Sequence, residues 1–434
     1  MNSSEPVPAD VPYNSYAPLG SPIPIAPEQR TSFIWAQVIA GALLMVATLP
    51  GRTQGLGLIT EPLLKDLQLS RLTYAQINLW ATLIGALACL PIGLLIDRKG
   101  PRLAAALLLP ALAAVVWFMS RLPAPTPAGL IGPLFGLILL TRALGQSALS
   151  VTSISAASRV FKKDSDWPAG TYAALLSVLF MGAFGIITSV IQSSGWRPAW
   201  SGIGIALIVM MPVLCLMPGG PYQQVRDAGT DADLTLAQSL RRPLFWVYSA
   251  GIALFTAIQA GVGLFNEALL AERGFDQKTY HTFLIATAFI ALVGQMLAGI
   301  GTRWMSLRYW LGLALLAQAA VLAGYSFIGN SAGLWTLAVV AGLSAGVITV
   351  AFFALWGETF GRRHLGRIMG AAQMLSVLAS AVGPLLFEGG ARWLGTYAKT
   401  LLAAAPVSVL LGVLTLVLRP GSVASLVPAP STHE

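Results

Sequence analysis

Charge is scarce in this chain. Lys and Arg number 26 and Asp and Glu 17, which is 10% of 434 residues. A soluble domain carries about 25% charged residues, so these few cannot cover a water-soluble surface of this size. Histidine is scarcer still, at three, and cysteine stops at two, Cys89 and Cys215, both inside apolar runs. Two such cysteines make no disulfide framework. The sequence has no Cys/His cluster, no His-Glu-x-x-His pair and no Gly-rich loop ending in Gly-Lys-Ser/Thr. Neither a metal, a cofactor nor a nucleotide site is therefore expected, and no enzyme chemistry. The net charge of +9 is scattered over short loops and forms no stripe or tail, which argues against nucleic acid as a partner.

Hydrophobic residues make up 56% of the chain. They fall into runs of about 20 residues, each long enough to cross the hydrocarbon core of a bilayer. Only helices fit such runs, because a helix satisfies its own backbone in lipid. The reading is an all-α polytopic membrane protein whose partner is the lipid bilayer. Twelve transmembrane helices are expected, as two pseudo-symmetric six-helix bundles.

The chain divides accordingly. Residues 1–32 are proline-rich, lack a signal-peptide core and read as a disordered tail. Residues 33–218 hold the first six spans. Residues 219–242, with glycines, aspartates and Arg241-Arg242, read as a linker. Residues 243–418 hold six more spans, and 419–434 form a second tail. Helix 1 is placed at Phe33 to Ile59, followed by an outer loop with Glu61, Lys65 and Asp66. Lys and Arg concentrate in alternate loops, which puts both termini and the loop after helix 2 on the cytoplasmic side. A bacterial inner membrane and a monomer are expected.

Gly93 to Arg102 reads Gly-Leu-Leu-Ile-Asp-Arg-Lys-Gly-Pro-Arg between two long apolar runs. Gly93 lets a neighbouring helix approach, Asp97 and Arg98 leave the membrane, Gly100-Pro101 turn the chain, and Arg102 starts the return. The string resembles the signature loop between transmembrane helices 2 and 3 of the major facilitator superfamily. The resemblance implies a transporter with a central cavity lined by helices 1, 4, 7 and 10. It also implies a gating role for Gly93, Asp97, Arg98, Gly100 and Arg102, with Asp97 latching onto the start of helix 11 near Ile368. A degenerate echo, Gly299 to Arg308, keeps the first glycine and last arginine but loses the aspartate.

Two arginines lie in apolar surroundings. Arg142 sits within helix 4, in Thr-Arg-Ala-Leu-Gly-Gln146. An arginine at bilayer depth costs about 2.5–3.5 kcal/mol on insertion scales, so it faces a wet cavity or a partner. The stretch resembles a helix-4 motif of proton-linked superfamily members, with Gly145 and Gln146 in reversed order. The alternative is a brace that bonds neighbouring carbonyls. Arg52 lies in Pro50-Gly-Arg-Thr-Gln54. That stretch resembles helix 1 of a bacterial branch near the monocarboxylate and oxalate/formate carriers, where Pro-Gly-Gln-Thr is common. A fork-shaped cation there suits a carboxylate. The alternative is an ordinary loop arginine after a helix stop.

The expected substrate site is thus Arg52, Gln54, Arg142 and Gln146, with Glu267 in helix 7 as a coupling candidate or a plain rim residue. The function expected is secondary transport of a small organic anion by alternating access, as proton symporter or exchanger. A proton-driven exporter of amphipathic compounds and a non-transporting receptor or scaffold are the alternatives. Glycine pairs at four-residue spacing, Gly51/Gly55, Gly132/Gly136 and Gly342/Gly346, mark expected close helix approaches. Trp196, Trp200, Trp335 and Trp393 are expected as interface anchors. The string Gly342-Leu-Ser-Ala-Gly346 matches a nucleophile elbow but lies inside a span, where no strand-turn-helix elbow can form.

Overall fold

The computed structural model describes residues 27–123, 131–158, 168–217, 219–220 and 233–418. The two tails fall largely outside the described residues, as does most of the linker. Among the described residues, twelve helices are long and apolar enough to cross a membrane. We number them α1 (Ile34–Leu67), α2 (Thr73–Lys99), α3 (Pro101–Ser120), α4 (Ile131–Ser158), α5 (Ala169–Ser194) and α6 (Trp196–Leu216) in the first half. The second half holds α7 (Pro243–Gly263), α8 (Lys278–Gly301), α9 (Leu307–Gly324), α10 (Ser331–Phe360), α11 (Leu365–Leu394) and α12 (Tyr397–Val417). Several starts are written in the sequence as side-chain caps that take an orphan N–H of the first turn. Ser70, Asp276, Asn330 and Thr396 accept from the backbone of Thr73, Thr279, Gly333 and Lys399 in this role, each from the residue three positions on. Asp276 is exposed, and its carboxyl is held below the usual value first by its bonds to Thr279.

The two halves repeat one another in their contacts more clearly than in their letters. Arg102, at the start of α3, donates through Nε to the Met217 carbonyl (3.0 Å) and through Nη2 to that of Cys215 (3.0 Å), at the end of α6. Arg308, at the start of α9, donates to the Leu418 carbonyl (2.9 Å) just past α12. Both cations neutralise the negative end of the last helix of their own half. This explains why the final arginine of the motif survives in both copies.

The halves meet at the end of the bundle that carries Gly93 to Arg102. A Cβ added to Gly93 would lie 2.4 Å from the Gly366 carbonyl on α11, so this contact is backbone on backbone. The echo does the same, since a Cβ on Gly299 would lie 2.6 Å from Cα of Gly170 on α5. Deeper in, Gln295 of α8 and Ser177 of α5 exchange a hydrogen bond at 3.2 Å. At the opposite end, Asp66 takes Trp196 Nε1 (2.9 Å) and Arg197 Nε (2.8 Å) within the first half. There Glu272 also accepts from the Tyr397 backbone (3.1 Å) within the second.

Several boundaries differ from expectation. α1 does not stop at Ile59 but continues to Leu67, so Glu61, Lys65 and Asp66 ride on the helix and not in a loop. Pro62 does not end it, because a proline removes only one bond and this one lies near the helix end, where Gln68 terminates the chain in the left-handed region (φ 52°). Glu358 lies inside α10 and Glu388 inside α11. Gly132/Gly136 is corrected, since a Cβ at either position meets nothing within 4 Å. Gly342 and Gly346 do pack tightly, against Ile290 and the Ala291 carbonyl of α8. Trp335 and Trp393 are exposed, but Trp196 (4%) and Trp200 (0%) are buried in the protein and are not lipid anchors. For Trp196 the Asp66 carboxylate supplies the ring N–H with an acceptor inside the protein.

Candidate functional site

The site is built around an interruption of α1. A regular helix runs Pro27–Val46, a tight turn covers Leu49–Gly51, and a second helix runs Thr53–Leu67. Pro50 and Gly51 account for the break, but the partner makes it possible. A Cβ on Gly51 would sit 2.2 Å from the Thr141 carbonyl and 2.9 Å from Cα of Gly145, both on α4. Glycine on each side lets the two backbones touch where α1 is interrupted.

At that contact α4 widens into a π-helical stretch, Arg142–Leu149. Such stretches frequently mark functional positions, because they re-aim side chains and free carbonyls. Arg142 projects from its first residue and is only 3% exposed. Its Nη1 donates to the Gly51 carbonyl (3.1 Å), Thr53 Oγ1 (3.0 Å) and Gln146 Oε1 (2.9 Å). Its Nη2 donates to Asn78 Oδ1 on α2 (3.0 Å). Its Nε has no acceptor. One guanidinium thereby ties α1, α2 and α4 together, so the brace reading describes its contacts. Hydrogen bonds from a charged group contribute about 1.5–3 kcal/mol each, enough to offset the cost of insertion. All of these partners are neutral, so the Nη donors are satisfied while the charge is not cancelled.

Arg52 is half-buried at the end of the turn. It is not a surface loop residue. Its Nε donates to Thr48 Oγ1 (2.6 Å), and Nη2 reaches Met45 Sδ (2.8 Å) and Ser150 Oγ on α4 (3.2 Å). The guanidinium lies 5.3 Å from the ring centroid of Phe180 on α5, and that ring stacks with Phe184 at 6.0 Å. Again every recorded partner is uncharged. Next to it, Ser153 donates to the Gly41 carbonyl (2.7 Å) and shares a hydrogen bond with Tyr172 (2.8 Å).

The other expected residues are placed as follows. Gln146 is nearly buried, and its carbonyl also accepts from Gln373 of α11 (3.4 Å). Thr53 and Gln54, in the first turn of the second arm of α1, are exposed. So is Gln259 on α7. Polar groups at this depth belong against water held between the halves and not against lipid. Glu267 lies on the helix Pro243–Ala271, but its side chain is outside the described residues. Asp97 is brought to the start of α11, where Oδ1 accepts from Gly366 N (2.8 Å) and Oδ2 from Arg367 N (3.2 Å). The Arg367 guanidinium adds an ion pair at 3.3 Å. Gly100 holds a φ of 89°, open to glycine, and starts α3 with Pro101. Arg98 is exposed. His364, just before α11, is pushed below its ordinary value by burial first and then by Arg367 and Arg363, with Asp233 opposing.

Sequence reasoning missed Asn78, Thr48, Ser150 and Phe180. For Asn78 a signal existed. Tyr74, Asn78 and Thr82 recur every four residues in an otherwise apolar run, one polar stripe on one helix face. The Gly342 to Gly346 string lies within α10, where Ser344 Oγ donates to the Ala341 carbonyl (3.0 Å), a helix bond and not a nucleophile–base pair.

No curated protein matches this chain. Solved structures do. The human organic anion transporter MFSD10 (TETRAN) superposes with a TM-score of 0.65 at 16% identity, over 90% of this chain and 100% of that one. FucP, described as a Major Facilitator Superfamily transporter in the outward conformation, gives 0.67 at 13% identity, over 89% and 99%. The proton:xylose symporter XylE bound to 6-bromo-6-deoxy-D-glucose gives 0.64 at 15%, over 89% and 96%. At these identities the likeness shows the fold. The family model of the Major Facilitator Superfamily matches residues 42–384. That span runs from the first arm of α1 to Pro384 in α11, and on it the chain belongs to the Major Facilitator Superfamily, a multi-pass membrane transporter.

Proposed function

We propose that the chain carries a small organic anion, a carboxylate by preference, as a proton symporter or an anion exchanger. One observation carries the reading: two guanidinium groups stand at the break of α1 with only neutral atoms as partners. Each satisfied donor lowers the cost of burying the cation, but none supplies the opposite charge. An anion between the halves does. The Phe180–Phe184 pair beside Arg52 offers an apolar wall to the body of an organic acid. This supports the nearness to monocarboxylate and oxalate/formate carriers suggested by Pro50-Gly-Arg-Thr.

The mechanism follows from linkage. The signature-loop end is the cytoplasmic one by its basic loops, and the Asp97 latch holds it shut, so this is the outward-facing state. Anion binding neutralises the site and favours the states in which it is enclosed. The halves then rock about it, which requires the Gly93–Gly366 and Gly170–Gly299 contacts to part. Flux tests the reading. Purified carrier in proteoliposomes takes up one or more of lactate, oxalate, succinate and benzoate and leaves glucose and choline outside. Acidifying the outside stimulates uptake under symport, whereas internal anion stimulates it under exchange. Equal transport of the cation and the acids refutes the proposal.

A further inference from the structure

We propose that the transported carboxylate caps the second arm of α1, taking the N–H groups of Thr53 and Gln54 between Arg52 and Arg142. This rests on the anion reading and adds to it where, and by which donors, the acid group is held. The arm is a 15-residue helix that begins in the middle of a membrane span. Its first intrahelical bond runs from Leu56 N to the Arg52 carbonyl (3.0 Å), which leaves the N–H groups of Thr53, Gln54 and Gly55 without a helical acceptor. Gly55 faces the packed side, against the Leu49 carbonyl, whereas Thr53 and Gln54 are exposed.

Four of the starts described above, at Ser70, Asp276, Asn330 and Thr396, use a side-chain oxygen for one of these donors. Here the capping position is Arg52, extended at φ −83° and ψ 153°, and its side chain makes no cap. A cation at the positive end of a helix is the reverse of what the dipole favours. A second cation stands at the same turn. Arg142, 97% shielded, donates to Gly51 O and Thr53 Oγ1, and its Nε is left without a partner. The Arg142 guanidinium thus lies at the helix N-terminus, and Arg52 occupies its capping position. Oxyanions are bound at helix N-termini by this combination of N–H groups and dipole, and half-helices at the bilayer midplane present their positive ends to substrate in other transporter folds.

The local backbone supplies the test. A proline at the first helical position keeps the helix and deletes its N–H, and the residue before a proline prefers the extended conformation Arg52 already has. Thr53→Pro and Thr53→Val both lose the hydroxyl that accepts from Arg142, and only the first loses the N–H. Radiolabelled lactate, oxalate, benzoate and inorganic phosphate are bound to the full-length purified carrier. The tightest carboxylate is expected to bind Thr53→Pro about tenfold more weakly than Thr53→Val. It is also expected to slow amide exchange across residues 53–55 of the unaltered carrier, a reading that needs no variant to fold. Equal affinity of the two variants, or unchanged exchange on saturation, overturns the cap. The anion reading then still stands if Arg52→Gln weakens the same probe. Tightest binding of phosphate overturns the carboxylate assignment, and no binding of any probe overturns both.

Discussion

Arg142 is 3% exposed and spreads its donors over α1, α2 and α4, whereas Arg52 is half-buried and reaches one serine on α4, its own helix and the face of Phe180. Both sit at the break of α1, and both are positive. The difference lies in what each would leave behind. Without Arg142 the Gly51 carbonyl, Asn78 and Gln146 lose a donor deep in the bundle. Without Arg52 the stranded groups are Thr48, which also donates to the Met45 carbonyl (2.6 Å), a thioether and Ser150. On the proposed function, one arginine holds the site together and the other reads its contents. A hydrogen-bond inventory alone does not make this distinction; the number of helices crossed does.

The comparison is broken most strongly by Arg142→Gln. Uptake should vanish, and the apparent melting temperature should fall by several degrees, since each buried acceptor left unmade costs about 1–3 kcal/mol. Full stability with lost uptake would make Arg142 a reader like Arg52. The next effect belongs to the latch. Asp97→Asn removes the ion pair to Arg367 and turns charge-assisted bonds into neutral ones. The end of the bundle that carries Asp97 should open about tenfold more often, equivalent to about 1.4 kcal/mol. Native Cys89, buried and with its carbonyl against Gly370 of α11, reports this in a Cys215→Ser background. Faster alkylation from that side is expected, and an unchanged rate counts against a gating role. The smallest effect belongs to Gly132, and Gly51 is its contrast. Gly132→Ala meets open space and should change uptake and stability little, whereas Gly51→Ala drives a methyl into the Thr141 carbonyl and should abolish the α1–α4 contact. Comparable losses from both would mean that Gly132 packs against something.

The twelve spans were legible because long apolar runs in a chain with so few charges allow little else. Arg142 was legible because a charge within such a run stands out. What Arg52 does was not, because Pro-Gly both stops helices and kinks them. The choice is made by Gly145 and the Thr141 carbonyl, about ninety positions away in the chain. Distance in sequence also hid Asp66, the partner of Trp196 130 positions away, and made Gly132/Gly136 look like a packing seam although a Cβ at either position meets nothing within 4 Å. The second-half echo of the signature loop is faint in letters because only two positions are under a shared geometric demand. Gly299 must admit Gly170, and Arg308 must reach the Leu418 carbonyl, while the aspartate position is occupied by Arg303.

The most direct test is equilibrium binding of a labelled carboxylate to the purified carrier and to Arg52→Gln, with the melting temperature of each measured alongside. The expected result is at least tenfold weaker binding in the variant at nearly unchanged melting temperature, with the loss growing smaller as salt screens the cation. Unaltered affinity in Arg52→Gln would contradict the assignment of Arg52 as the residue that recognises the substrate.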